Sequence, residues 1–137
     1  MLKKRILRIV DANFNRLKEA LRVVEDIFRF IYEDDKLRKK TRELRHVLDV
    51  LLAEKIFNEA ILERNSIGDL GKKVDVLELN KKDLSDILFA NLQRAKESSR
   101  VLEEILKITF SAKVSVLKKV RYDIYDLEKE AYKYKRR

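Results

Sequence analysis

From about Ile9 to Glu33 apolar residues recur at the three- and four-residue steps of a helix. Phe14, Leu17, Leu21, Val24, Phe28 and Ile31 form the stripe, and Ala20, Val23, Ile27 and Phe30 widen it. The pattern predicts a helix that buries one face. Asp34 and Asp35 then offer acceptors to the open amides of a second helix, which turns Leu37, Leu44, Val47, Leu48 and Leu51 inward, restarts near Glu54 and ends around Glu63. Residues Arg64 to Leu79 hold both glycines, Gly68 and Gly71, and little helical period, so they form the one substantial loop. Asn80 followed by Asp83 resembles a capping box with Asp in place of Glu. It opens a long helix through Leu84, Leu88, Leu92, Ala95, Leu102 and Ile105 that ends near Phe110. A last helix from about Lys113 uses Leu117, Val120, Ile124, Leu127, Ala131 and Tyr134, then frays into a solvated basic tail.

The chain also repeats itself. The stretch Ala12 to Asp26 aligns without a gap on Ala90 to Glu104, an offset of 78 residues, and six of the identities are polar or charged. The following helices agree after a two-residue slip, Arg45-His46 falling on Arg121-Tyr122. Two copies of a helical hairpin, each with an apolar face it cannot bury alone, predict an all-α fold. The expected architecture is a single domain spanning 1–137, a bundle of four main helices with approximate internal twofold symmetry. Its parts are a first hairpin at about 9–63, the glycine-containing loop at about 64–79 and a second hairpin at about 80–135.

Composition narrows the chemistry. The 137 residues include no cysteine and one histidine, which excludes disulfide frameworks and thiolate zinc sites. No proline and only two glycines leave little turn punctuation for a sheet-rich fold. A formal net charge of +9 points to phosphates, carboxylates or nucleic acid as partners. No apolar run approaches the roughly 18 residues of a membrane span, and the opening MLKKRILRIV is too short in apolar residues for a signal peptide. A cytoplasmic protein is expected, with no membrane partner. High Lys and Glu with one Met also fit a thermophile.

Two polar pairs look misplaced on the helical wheel. Asn13 and Arg16 project into the arc of Ala20, Val23, Val24, Ile27 and Ile31, and the repeat puts Asn91 and Arg94 at equivalent angles. A buried guanidinium requires an anion. That anion is either an internal carboxylate such as Asp11 or Asp86, or a ligand in a shared pocket near two helix N-termini. The asparagines are helix caps or ligand contacts. Arg22 and Arg100 sit beside Glu25, Asp26, Glu103 and Glu104, as surface ion pairs do. His46 reads as a packing or hydrogen-bonding residue. Asp69, between the two glycines, is either a turn residue or a carboxylate able to approach magnesium. No P-loop, dinucleotide fingerprint or kinase-type glycine loop is present, so a nucleotide site would be built from side chains.

The run Asp11-Ala12-Asn13-x-Asn15-Arg16-x-x-Glu19-x-Leu21-Arg22-Val23-x-Glu25-Asp26-x-x-Arg29-Phe30 opens a longer pattern. It continues with Leu44-Arg45-His46, Arg64, Asp69-Leu70-Gly71, Ala90-Asn91-x-x-Arg94-Ala95-x-Glu97 and Arg100 to Glu104. Together these motifs resemble the small helical domain found alone or fused to thiamine-phosphate synthase. The match spans nearly the whole chain. It departs where Asn65 follows Arg64 in place of Asp, where Leu70 replaces Val, and where Ser98-Ser99 replaces Ala-Leu.

That family is regarded as a kinase of hydroxymethylpyrimidine phosphate, unrelated to the ribokinase-like enzyme that usually performs this step of thiamine biosynthesis. The resemblance implies a transferase with ATP and Mg2+ as cofactors and the pyrimidine phosphate as small-molecule substrate. It assigns Arg16 and Arg94 as catalytic groups on the phosphates, and Arg22, Arg45, Arg64 and Arg100 as further phosphate-binding residues. Asn13, Asn15 and Asn91 would bind the pyrimidine; Asp69, Asp11 and Glu25 would bind the metal. Expected partners are the nucleotide, thiamine-phosphate synthase and a second copy in a homodimer.

Three other readings compete with this one. The first is a non-catalytic dimerisation or regulatory domain of thiamine-phosphate synthase. The second is an all-α chorismate-mutase-like enzyme, suggested by Leu44 to Leu52. The third, nucleic-acid binding, is disfavoured because no helix shows a concentrated basic face.

Overall fold

With Leu7 and Val10 included, the first stripe runs Leu7, Val10, Phe14, Leu17, Leu21, Val24 and Phe28 in unbroken steps of three and four, every one buried. The helix therefore starts at Leu2, earlier than Ile9. The computed structural model describes residues 1–73 and 83–135. Among them the chain forms helices α1 (Leu2–Asp26), α2 (Asp35–Leu51), α3 (Lys55–Leu62), α4 (Leu84–Thr109) and α5 (Val114–Ala131). A π-helical turn, Ile27–Ile31, follows α1, and short 3-10 turns, Ser111–Lys113 and Tyr132–Tyr134, flank α5. The expectation of an all-α bundle holds.

The π turn changes the helical register. The Tyr32 amide donates to Ile27 O at 3.1 Å, one residue further back than in an α-helix. The wider turn rotates Phe30 and Ile31 outward, to 63% and 50% exposure, although the stripe predicts both as core. Val23 and Val47, also expected inside, lie at exposed margins. Glu33 then takes a left-handed conformation, φ 50°, and stops the helix. Asp34 caps α2 as its position predicts, accepting from the Leu37 amide at 3.1 Å.

At α4 the cap differs from the expected one. Asp83, read as the third residue of a capping box, is itself the N-cap and accepts from the Asp86 amide at 2.9 Å. Asn80 lies outside the described residues.

Helices α1 and α4 pack antiparallel at the centre, with α2 and α3 against α1 and α5 against α4. At one end Leu2 and Ile6 of α1 share a groove with Ile108 and Phe110, at the end of α4. On α3, Phe57 meets Phe14 with ring centroids 4.7 Å apart. Each fully buried Leu contributes about 1.5–3 kcal/mol of transfer free energy, so this seam holds the bundle.

Burial recurs between the halves. Asn13, Phe14, Leu17, Val24, Glu25 and Phe28 are buried, and so are their counterparts Asn91, Leu92, Ala95, Leu102, Glu103 and Leu106. With the two-residue slip, buried Thr41, Leu44, Leu48 and Leu51 correspond to buried Leu117, Val120, Ile124 and Leu127.

The tail is held further than expected. Tyr134 stacks on Tyr32 at 3.8 Å and its hydroxyl donates to Asp34 at 2.7 Å, while Lys133 pairs with the same carboxylate at 3.1 Å. Arg136 and Arg137 lie outside the described residues. Among the described residues, no helix is long and apolar enough to cross a membrane.

Candidate functional site

Residues seven apart on a helix differ by only about 20° in direction, so Arg8 and Asn15 share one face of α1. The segment after α3 runs beside that face and adds Arg64, Asn65, Ser66 and Asp69. Together they line a cleft of about 590 Å³, with Arg5, Asp11, Asn13 and Arg16 completing its walls.

One ion pair fastens the cleft. Arg64 donates from Nε and Nη2 to the two oxygens of buried Asp11, both at 2.8 Å, and Asn15 donates to Asp11 Oδ1 at 3.3 Å. The bidentate geometry clamps the loop onto α1. Hydrogen bonding to Asp11 raises the Arg64 guanidinium above its ordinary value. The internal partner of Asp11 is therefore Arg64, a residue 53 positions away, and the local candidate Arg16 is left unpaired.

Within the loop, Asn65 Oδ1 accepts from the Gly68 amide at 2.9 Å, and Asp69 Oδ1 accepts from the Gly71 amide at 2.8 Å. An Asp at position 65 has the same acceptor, so the departure from the family pattern keeps this turn.

Arg5, Arg8 and Arg16 face the cleft with no carboxylate partner among the described residues. Arg16 makes one long bond, from Nη1 to Asn13 Oδ1 at 3.4 Å. Guanidinium groups without internal anions, gathered in one concavity, suit a phosphate-bearing ligand.

Two expectations for Arg16 and Arg94 are corrected. Neither side chain faces inward: both are exposed. Arg16 and Val23, seven residues apart, lie on the same exposed margin of α1, just outside the arc centred on Leu17, Leu21 and Val24. Nor do the two arginines meet in this cleft, which Arg16 lines and Arg94 and Asn91 do not.

Asn13 and Asn91 are buried inside their helices and cap neither. Each amide donates to the carbonyl four residues back, Ile9 at 2.9 Å and Ile87 at 2.8 Å. Asn13 and Asn15 are the two expected pyrimidine contacts that the structure brings to the cleft.

The three expected metal ligands do not converge. Glu25 is buried elsewhere and receives Arg45 on both oxygens, at 3.0 and 2.9 Å, with Arg22 at 3.5 Å. Asp11 has both oxygens engaged by Arg64. Asp69 Oδ1 accepts from the Gly71 amide, and its other oxygen has no partner among the described residues. Among the described residues, no three His, Cys, Asp or Glu side chains gather to hold a metal ion. A protein-built magnesium cage does not fit the described residues.

Arg22, Arg29, Arg38, Arg42 and Arg45 line a second concavity, about 730 Å³, between α1 and α2. Arg38, Arg42 and Arg45 come from α2, and Glu25, Glu33 and Asp35 line the same concavity. Arg100 pairs with Glu104 at 3.7 Å and lines neither concavity, and His46 is exposed and lines neither.

Arg5, Arg8 and Ser66 were not legible as site residues. The first two precede the expected helix start, yet buried Leu7 and Val10 carry the signal that extends the helix, and once extended it sets Arg8 in line with Asn15.

The protein is an all-α helical bundle carrying an arginine-lined cleft with one internal clamp. The chain matches the ThiD2 family over residues 8–130 and belongs to it. It is 35% identical over 121 residues to a thiamine-phosphate synthase of Rhodopirellula baltica, covering 88% of this chain and 32% of that protein. A thiamine-phosphate synthase of Synechocystis sp. is 36% identical over 124 residues, 90% of this chain and 35% of that protein. One from Thermosynechococcus vestitus is 35% identical over 126 residues, 91% and 35% respectively. The chain thus spans about a third of the length of these curated relatives. No solved structure matches it.

Proposed function

We propose that this chain acts in thiamine biosynthesis as an ATP-dependent kinase that converts hydroxymethylpyrimidine phosphate to the diphosphate. The observation that carries the reading is the gathering of Arg5, Arg8 and Arg16, none paired with a carboxylate among the described residues, around a cleft whose Asp11 is already neutralised by Arg64. Family membership and the thiamine-phosphate synthase relatives supply the metabolic setting.

In the reaction an ionised oxygen of the pyrimidine monophosphate attacks the γ-phosphorus of ATP. One P–O bond forms, the bond to the β-phosphate bridging oxygen breaks, and ADP leaves with that electron pair. The nucleophile carries no proton at neutral pH, so no general base is needed; alignment and charge neutralisation supply the catalysis. Arg8 and Arg16 hold the acceptor phosphate in bidentate fashion, and Arg5 adds positive potential at the cleft mouth. Asn15 and the Asn13 carbonyl oxygen offer a donor and an acceptor to the aminopyrimidine edge. Asp69 is the residue that would meet a magnesium ion bound to the nucleotide, and that ion would offset charge on the transferred group.

The test is a coupled assay of purified protein with ATP, magnesium and the pyrimidine phosphate, following ADP and diphosphate. Turnover is expected, with Arg8→Ala and Arg16→Ala each lowering kcat/KM by about 100-fold or more while helical content is kept. Absence of ADP release across pH and metal conditions would overturn the kinase reading and leave a non-catalytic domain.

A further inference from the structure

The halves of the chain provide an internal control that separates scaffold from site. Both halves contain a buried carboxylate gripped on both oxygens by an arginine of the next helix, Glu25 with Arg45 and Glu103 with Arg121. A feature present at both equivalent positions belongs to the bundle. Around the first pair, however, Arg29, Arg38 and Arg42 stand where the repeat offsets place Lys107, Val114 and Lys118 in the second half. The extra guanidinium groups are confined to one seam, and there they line the concavity between α1 and α2.

Charge pairing inside that seam is incomplete. Glu25 is engaged by Arg45, and Asp35 is engaged by Arg38 at 2.8 Å. Arg22 reaches Glu25 and Asp26 only at 3.5 and 3.7 Å. Arg42 has no partner among the described residues, and Arg29 has only the Phe30 ring, 4.7 Å from its guanidinium carbon. Arg22, Asn15 and Arg8 follow one another at seven-residue intervals along α1, so Arg22 of the seam and Asn15 and Arg8 of the cleft lie on the same side of that helix. Asn15 and Arg22 are about 10 Å apart along the helix axis.

We propose that the α1–α2 seam is a second anion site, which binds the polyphosphate of a nucleotide through Arg22, Arg29 and Arg42. This assignment rests on the kinase reading for its ligand. It adds a division of labour, with the nucleotide polyphosphate in the seam and the acceptor monophosphate in the cleft. Arginine in place of lysine at these positions matters because its fork grips two phosphate oxygens at once.

The experiment is equilibrium titration of the full chain with inorganic triphosphate, with a non-hydrolysable ATP analogue and with the pyrimidine monophosphate. Parent, Arg29→Ala/Arg42→Ala, Arg42→Lys and Arg8→Ala proteins are compared. The double variant should weaken the triphosphate and the ATP analogue by at least tenfold and the monophosphate by less than twofold. Arg42→Lys should fall between parent and double variant, and Arg8→Ala should show the opposite ligand preference. All four substitutions are at exposed positions, and circular dichroism reports whether each variant keeps its helices. The proposal is overturned if the double variant binds the triphosphate as the parent does, if both ligand classes weaken together, or if the parent binds no triphosphate. Failure of the kinase reading looks different, with triphosphate bound in the seam and no ADP formed.

Discussion

Removing the Glu103 carboxylate should destabilise the bundle far more than removing Glu25, although the two residues occupy equivalent positions. Arg121 is 7% exposed and Glu103 3%. Nη2 of Arg121 donates to Glu103 at 3.1 Å and Nη1 donates to the Tyr125 hydroxyl at 2.9 Å, while the rings of Tyr122 and Tyr125 lie 5.0 and 5.6 Å from the guanidinium carbon. Hydrogen bonding to Glu103 first, and to Tyr125 second, holds this guanidinium well above its ordinary value; with Glu103 removed it still stays charged, because the ordinary value of an arginine already lies far above neutral pH. Glu103→Ala strands that charge among apolar and aromatic groups, at a cost of about 3–5 kcal/mol. For a chain of this length that corresponds to a fall in Tm of about 10–17 °C.

Arg45 lines the open seam with its side chain 19% exposed, so after Glu25→Ala it can turn to water, at a cost of about 1–2 kcal/mol. Replacing both members of the inner pair with apolar residues, Glu103→Leu with Arg121→Met, should recover most of the loss, because no buried charge remains. Reversible urea unfolding followed by far-UV circular dichroism measures all four proteins. A cost below about 1 kcal/mol for Glu103→Ala, or equal costs for the two glutamates, would refute the reasoning, since burial would then not govern the pair.

Glu33→Gly should raise stability by about 0.5–1 kcal/mol, read as a Tm increase of a few degrees, because φ 50° is strained for a residue with a Cβ; no increase would mean that the turn carries no such strain. Burial alone would push the Asp34 carboxyl upward, but hydrogen bonds from the Tyr134 hydroxyl, the Leu37 amide and Lys133 outweigh it and leave the group below the usual Asp value. Its contribution is therefore complete above the unfolded pKa of about 3.9 and is lost as pH falls through the lower folded value. Asp34→Asn should lower stability by about 1 kcal/mol at pH 7, with the gap closing in acid; a gap that persists at pH 2 would contradict this. At Gly68 an added Cβ would stand 2.6 Å from Asn65 Nδ2 and displace a side chain whose oxygen accepts from the Gly68 amide. Gly68→Ala should leave Tm within about 2 °C of the parent, since only an exposed loop moves, yet weaken pyrimidine phosphate binding several-fold; unchanged affinity in titration would show that the turn does not shape the cleft.

The all-helical class and nearly all of the core were readable from the sequence, because a buried face on a 3.6-residue period leaves a pattern that needs no distant contact to interpret. The Asp34 cap was legible for the same reason, being an interaction three residues long. The π turn was not, and it moved Phe30 and Ile31 out of the core by altering the period on which their assignment depended. The sequence also identified Arg16, Asn13, Asn15, Arg64, Asp11 and Asp69, and the cleft contains all six. Which charges are internally neutralised was decided by tertiary structure alone. Asp11 meets Arg64 across 53 positions and Glu25 meets Arg45 across 20, leaving Arg5, Arg8, Arg16, Arg29 and Arg42 without a carboxylate among the described residues. Helical periodicity specifies the direction in which a side chain points from its own axis, but an ion pair depends on the distance between two axes, and only packing sets that distance.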